Sequence, residues 1–531
     1  MSSVRDRLTI VTPDIEKIMK IGGAAGLALG VLHKGEPVYQ ANFGFRDIEK
    51  KLPPDADTIF ACCSLMKALT SATIGLLVEE NKVQWDALVM DVLPEFRTKE
   101  DVLHTQTTVA DLLSHRTGMA WADNLYISTN NNVLISAEDS LKYLSHQEAL
   151  LPFRGQFSYN NLGYEIAGHI ISKLTGSYWS DLLHSEILDP LGLKRTLTKP
   201  PAAGVDNVAV AHTFLDDGTP YPIGPVQAGK DLFGGPSGGL RSSVNDLLKL
   251  YRSFLVAFND QFKTGNTATE GSPLKQVRHL MSAKVPVNPP TRTETSYGYG
   301  WARVQLPATK GDIGCNPPLM LDGMPVVGKG IPSQLVLYHQ GSLPGALTAV
   351  MLVPETETAI VVLTNSLALN DVPDWVGQLV LEAILDVPKD QRNDYVKATE
   401  TSRATTEKWY ATTTEELFRE KKNDTSPRDL KEYVGTYWDP AHVFKIVVTE
   451  DSGKLYWAFQ GLDSERFILN HYEDDVFTWI QTRNELVKRG RWVGQGPDFW
   501  KAEFRADKDG YIKKLFWVHG IGVSAVEHTK D

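Results

Sequence analysis

The sequence predicts an α+β domain followed by a small, separate β domain, and three observations carry this. Strand-like apolar stretches lie near both ends of the first 390 residues, with helical spacing between them. From Gln334 the period drops to two, and three strand-sized blocks follow one another with short turn-forming loops between them. Beyond Leu430 the chain becomes short aromatic strands and turns, and this last fifth holds six of the 12 tryptophans.

Taken in order, residues 12–20 have the spacing of a short helix. Gly26–Leu32 reads as a buried strand, His33–Glu36 as a turn and Pro37–Phe45 as a returning strand. After Phe60 the pattern turns helical, with Ala68, Leu69, Ala72, Ile74 and Leu77 on one stripe. A helix over Thr108–Leu113 is opened by Thr107 or Thr108 and closed near Gly118. Gly163–Leu174 is helical and stops at Gly176. Ser242–Phe254 reads as an amphipathic helix capped by Ser242 or Ser243. Gln334–His339, Ala346–Leu352 and Ala359–Thr364 are the three antiparallel strands. Pro373–Leu385 closes the domain as a helix, its proline tolerated in the first turn. The polar stretch that follows is a partly helical linker, so the expected division is 1–390, 391–428 and 429–531. In the last unit, Tyr433–Tyr437, Phe444–Val448, Lys454–Trp457 and Lys514–Trp517 read as strands of a small barrel or sandwich.

Composition narrows the function classes. Over 531 residues, 42% are hydrophobic and 22% charged, an ordinary globular balance. A net charge of -11 argues against a nucleic-acid partner, and no apolar run has the length of a membrane span. Cys62 and Cys63 are adjacent and Cys315 is remote, so the three cysteines build no disulfide framework. Acidic residues at Asp6, Asp14 and Glu16 interrupt the first twenty positions, unlike a secretion signal. The expected location is the cytoplasm. No H-E-x-x-H occurs and no cysteine pair has zinc spacing, so neither a metal nor another cofactor is expected. Gly235–Gly239 fits G-x-S-x-G but lacks the preceding strand of a nucleophile elbow, and reads as a glycine-rich loop. Gly323–Lys329 has P-loop spacing, but Gly330 stands where a hydroxyl must hold magnesium. His104 and His115 read as loop and packing histidines.

Three segments carry chemistry. Ser64 and Lys67 are three apart at a helix start, so hydroxyl and amine share a face. A serine is a weak nucleophile until a base takes its proton, and a lysine is a base only when burial favours its neutral form. Tyr159 and Asn161 place a phenol beside an amide on a tight loop. His339-Gln340-Gly341 closes an apolar strand, with a donor or cation at His339, and Gly341 lets a substrate approach the strand edge closely.

With these three in this order, the sequence resembles the serine β-lactamase and penicillin-binding-protein superfamily over roughly residues 10–390. The nearest look is to class C β-lactamases, DD-peptidases, and the related esterases, D-aminopeptidases and acyl transferases. Leu112–Met119, Asp189–Leu193, Gly238–Ser243 and Tyr297–Trp301 agree with further landmarks of that family. The resemblance implies a β-lactamase/transpeptidase-like fold: an antiparallel sheet flanked by helices plus an all-helical region. The C-terminal unit resembles the lipocalin-like barrel appended to some members.

By the same resemblance, Ser64 attacks an acyl carbonyl, Lys67 and Tyr159 share the general-base role, and Asn161 orients the substrate. The backbone N–H groups of Ser64 and Ser342 form the oxyanion hole. His339 stands where many members carry the lysine of a Lys-Thr-Gly triplet, a departure that turns the expectation away from β-lactam and cell-wall substrates. Trp121 either walls the cleft or is a core or surface aromatic. The expected function is a serine hydrolase that cleaves an ester, lactone or amide of a small-molecule acyl substrate, in specialised metabolite biosynthesis. The alternatives are an acyl transferase, a β-lactamase or D-aminopeptidase, and an inactive binding scaffold.

Overall fold

The computed structural model of the chain describes residues 3–229, 231–289, 292–419 and 421–531. The strands that position the site are β1 (Gly26–His33), β2 (Glu36–Gly44), β3 (Phe60–Cys63), β4 (Leu240–Ser242), β5 (Val285–Pro286), β6 (Thr295–Tyr297), β7 (Ala302–Leu306), β8 (Gln334–Leu343), β9 (Ala346–Val353) and β10 (Thr358–Thr364). The strands from the two ends of the domain merge into one eight-stranded antiparallel sheet of order β2-β1-β10-β9-β8-β7-β6-β5, while β3 and β4 pair separately. Strand β1 is a continuous apolar run because both its faces are covered. Leu27, Leu29 and Val31 pack on one side, Ala28 and Leu32 on the other.

Six longer helices frame the sheet: α1 (Val4–Gly22), α2 (Met66–Glu79), α3 (Asn161–Thr175), α4 (Val244–Thr264), α5 (Val372–Ile384) and α6 (Tyr395–Arg419). Helices α1 and α5 cover one face; α2, α3 and α4 form a helical block on the other. Helix α2 is buried from Met66 to Val78, as expected of the central member of that block. Strand β1 can approach α4 because Gly30 is bare: a Cβ there would lie 2.3 Å from Val244 Cγ1.

Several elements outrun their sequence expectation for visible reasons. Helix α1 begins at Val4 rather than residue 12, because Ser3 and Asp6 form a reciprocal capping box and Leu8 to Met19 continue the buried stripe past Pro13. Helix α4 passes Phe254, carried on by buried Leu255, Phe258 and Gln261, and stops at left-handed Gly265. Strand β8 does not end at His339. It continues to Leu343, where the Pro344-Gly345 turn pairs Leu343 with Ala346 and fixes the register with β9. The polar linker contains the 25-residue α6, tied back to the sheet domain by Arg403 donating to the Ile21 carbonyl and Asn370 donating to that of Thr399.

The C-terminal unit is a closed barrel of eight strands, the first Gly435–Trp438 and the last Val526–Lys530. Trp457, Trp479, Trp500 and Trp517 are fully buried and fill its interior, Trp517 stacking on Phe459 at 5.0 Å. The barrel is pinned to the first domain. The buried Glu465 carboxylate accepts from Ser128 and Thr129 and pairs with buried Arg491. Gln460 donates to the Leu134 carbonyl, and Asn124 to that of His519. Among the described residues, no helix is long and apolar enough to cross a membrane.

Candidate active site

Strands β3 and β4 deliver Ser64 to the sheet edge. Cys63 holds a left-handed φ of 52° that turns the chain sharply, leaving Ser64 in the turn just before α2. The Lys67 N–H closes that turn on the Ser64 carbonyl at 3.1 Å. Ser64 is therefore half-buried and lines a cavity, while Lys67 is fully buried beneath it.

The Lys67 amine has three polar neighbours: Ser64 Oγ at 3.1 Å, Asn161 Oδ1 at 2.7 Å and the Ser237 carbonyl at 2.9 Å. Two of these can only accept. A neutral amine has two hydrogens for them and one lone pair left, which falls to the Ser64 hydroxyl. Burial supports that neutral form by pushing the lysine down to about 7 from 10.5, against the opposing charge of Asp123. The arrangement puts a serine hydroxyl in contact with an amine whose neutral form is able to accept its proton.

Tyr159 completes the group. Its ring centroid lies 4.8 Å from Lys67 Nζ, and its phenol interacts with the Ser64 side chain. Burial raises the phenol well above its ordinary range, so at neutral pH it keeps its proton and can relay or donate one. His115 sets this tyrosine: its ring packs 4.4 Å from that of Tyr159, its Nδ1 accepts from the Asn160 N–H, and its carbonyl from that of Ser158. Asn161 begins α3 behind the Asn160 cap. Its amide donates to Asp123 Oδ2 at 2.8 Å while its oxygen accepts from Lys67, so Asp123 fixes which way the amide points.

The third segment is placed differently from its sequence reading. His339 is buried inside β8, with its ring behind Tyr159 at 6.2 Å. Nδ1 lies 2.6 Å from the Gln340 carbonyl, which only accepts, so Nδ1 carries the proton and Nε2 accepts from the Tyr297 hydroxyl at 2.9 Å. Burial pushes this histidine down to about 3. It is a neutral packing group that presents no cation to the cleft. Gly341 is bare for the chain's own sake. A Cβ there would meet Thr348 Oγ1 at 2.4 Å and the Cys62 carbonyl at 2.5 Å, so the glycine lets β8 lie directly against the strand that carries the serine. Strand β7 pairs with β8 only from Gln334 to Tyr338, leaving the edge beyond His339 unpaired by it. Ser342, on that open part, lines the same cavity as Ser64, and so does Trp121.

The cavity has a volume of about 550 Å³. Part of its wall was not readable beforehand. The glycine-rich stretch read as a loop forms a single helical turn over Gly235–Gly238, and its Ser237 contributes a carbonyl to Lys67, a backbone group with no side-chain signal. Asp123 sits on a single helical turn with no periodicity, although a carboxylate close after Trp121 was a visible polar interruption. Trp492 to Gln495, from the barrel, also line the cavity. Trp409 of α6 donates to the Gln495 carbonyl and anchors that loop.

The sheet, the helical block and the attached barrel define the β-lactamase/penicillin-binding-protein-like fold with a closed eight-stranded barrel appended. The family model described as Beta-lactamase matches residues 11–382, and a domain of unknown function, DUF3471, matches 419–528. The chain belongs to the β-lactamase family, which at family level is one of hydrolases. It is similar to the unguisins hydrolase of Aspergillus violaceofuscus, 24% identical over 83% of this chain and 77% of that protein. It is also similar to penicillin-binding protein 4 of Amycolatopsis lactamdurans, 26% identical over 64% of this chain and 77% of the other. In fold it is similar to the octameric penicillin-binding protein homologue from Pyrococcus abyssi, with a TM-score of 0.56 and 19% identity, covering 98% of this chain and 99% of that one.

Proposed function

We propose that this protein is a serine hydrolase that forms an acyl-enzyme on Ser64 and cleaves an amide, ester or lactone bond of a small molecule. The observation that carries this reading is the buried Lys67 amine, within hydrogen-bond distance of the Ser64 hydroxyl and of two groups that only accept, so that its neutral form has a lone pair left for the serine. Ser64 Oγ attacks the carbonyl carbon as Lys67 takes its proton. The N–H groups of Ser64 and Ser342 hold the oxyanion, a contribution of about 10²–10³ in rate for each such donor. As the tetrahedral intermediate collapses, the proton passes from Lys67 through the Tyr159 phenol to the departing amine or alcohol. Water then attacks the acyl-enzyme by the same route in reverse and frees the acid. The similarity to a protein described as an unguisins hydrolase supports water over another nucleophile as acceptor, and a metabolite over a cell-wall polymer as substrate.

Incubation with a fluorophosphonate tests this directly. The wild type gains the phosphonyl mass on the peptide containing Ser64, and Ser64→Ala gains none. Equal labelling of that variant at another residue removes the mechanism. Release of product from an activated ester only when an amine or alcohol is added would replace hydrolysis by acyl transfer.

A further inference from the structure

Charge among the described residues of the cleft is one-sided. Among the described residues that line the cavity, Asp123 and Asp312 are the charged ones, and no Lys, Arg or His lines it. The rest of the wall is largely apolar, with Trp121, Phe157, Phe233, Ile313, Leu343 and Trp492 contributing. The strand position that could hold a cation is taken by His339, which is buried with both ring nitrogens engaged. Arg241 is likewise buried and spends its guanidinium on the carbonyls of Val226, Ala228 and Gly239. Lys67 is itself beneath the serine rather than in the wall. A substrate carboxylate entering this space meets no cation in the described wall to replace its hydration, and a carboxylate one hydrogen bond from the catalytic amide.

We propose that the cleft discriminates against acyl donors that carry a carboxylate near the scissile bond, in favour of neutral or amine-bearing ones, and that Asp123 imposes this selection. The inference rests on acylation of Ser64 and deepens that reading by assigning the charge class of the substrate. Asp123 acts on two levels. It orients Asn161, and through Asn161 the lysine; its negative charge also sets the potential where the acyl chain lies. The negative charge of Asp123 is felt at Lys67, where it partly offsets the burial that lowers the amine.

The test uses the full chain and three nitrophenyl esters of matched length, ending in a carboxylate, its methyl ester, or an amine. The readout is the ratio of kcat/KM between esters within one enzyme, which cancels any general loss of catalysis. Wild type is expected to prefer the neutral and amine esters by about tenfold or more, the size of one unit-charge interaction at a partly solvated site. Asp123→Asn keeps an acceptor for the Asn161 amide while removing the charge. It should bring the ratio close to one even where absolute rates fall, and Asp312→Asn should narrow it less. Raising the salt concentration should narrow the wild-type ratio without any substitution.

A wild-type preference for the carboxylate ester, or a ratio unmoved by Asp123→Asn, overturns the inference. So does a larger effect from Asp312→Asn. Failure of wild type to be acylated by any of the three would remove the acyl-enzyme reading and this inference together; turnover with an unmoved ratio removes this inference alone.

Discussion

Replacing Lys67 with methionine separates the two consequences of burying an amine under a nucleophile. A free lysine at pH 7 is neutral in roughly one molecule in 3,000; at about 7 the buried one is neutral in half. Burial thus multiplies the reactive form by about three orders of magnitude, comparable with what general-base catalysis supplies. The same displacement is a stability statement. Between the folded value near 7 and the unfolded value of 10.5 the unfolded chain binds more protons, so stability rises with pH across that window. Below it both states are protonated and the penalty is complete, about 5 kcal/mol at the limit. From about pH 7 to pH 9 the gain is about 2 kcal/mol.

Two assays follow from one variant. Labelling of wild type by a fluorophosphonate should rise with pH along an acid limb centred near 7, and Lys67→Met should label about 10²–10⁴ times more slowly. Urea unfolding of both proteins at the two pH values then gives the difference in slope. Methionine leaves Asn161 Oδ1 and the Ser237 carbonyl without their donor, so absolute stability mixes effects, but the pH-dependent part belongs to the amine. An acid limb centred above 9, or an equal wild-type–variant difference at both pH values, would refute the neutral-lysine reasoning.

Trp492→Ala, which removes part of the barrel's contribution to the cavity wall, should lower kcat/KM for bulky acyl groups by tenfold or more, yet leave a nitrophenyl acetate within about twofold; steady-state kinetics on a size series reads this. Glu465→Ala leaves Arg491 buried without its charge partner and should destabilise the chain by about 3–5 kcal/mol, measured by urea unfolding. Gly341→Ala forces a methyl against the Cys62 carbonyl. It should cost about 1–3 kcal/mol and slow Ser64 labelling, because the strand that holds the serine must move.

Most of the scaffold was legible because its signals are local. Thr108 and Ser243 cap helices with their own side chains, and Gly176 ends one in a left-handed conformation. The runs at Gly26–Leu32 and Ala359–Thr364 are apolar without interruption because helices cover both faces of the sheet, and that pattern survives in the sequence. The extent of an element is less legible where the deciding partner is distant. Strand β8 runs past His339 because β9 supplies a ladder after a two-residue turn. Helix α6 holds its polar sequence together by docking on α1 and α5, which composition alone does not reveal.

The site divides the same way. Ser64, Lys67, Tyr159 and Asn161 were visible because side chains three or two apart must share a face or a loop. What lay beyond reach was the role of groups whose meaning depends on distant neighbours. His339 carries a titratable ring, and at a strand end such a ring reads as either a donor or a cation. Its Nε2 meets a hydroxyl brought in by Tyr297 across two strands of the sheet, and that contact with its burial makes it neutral. The position that would hold positive charge is thus silent, while a carboxylate from an unpatterned helical turn faces the cavity. Electrostatic character in this cleft is a property of the assembled fold: the residues proposed for the chemistry sit in local motifs, whereas the charge and much of the remaining wall of the cavity come from Asp123, the Asp312 loop and a barrel more than 300 residues further along the chain than Ser64.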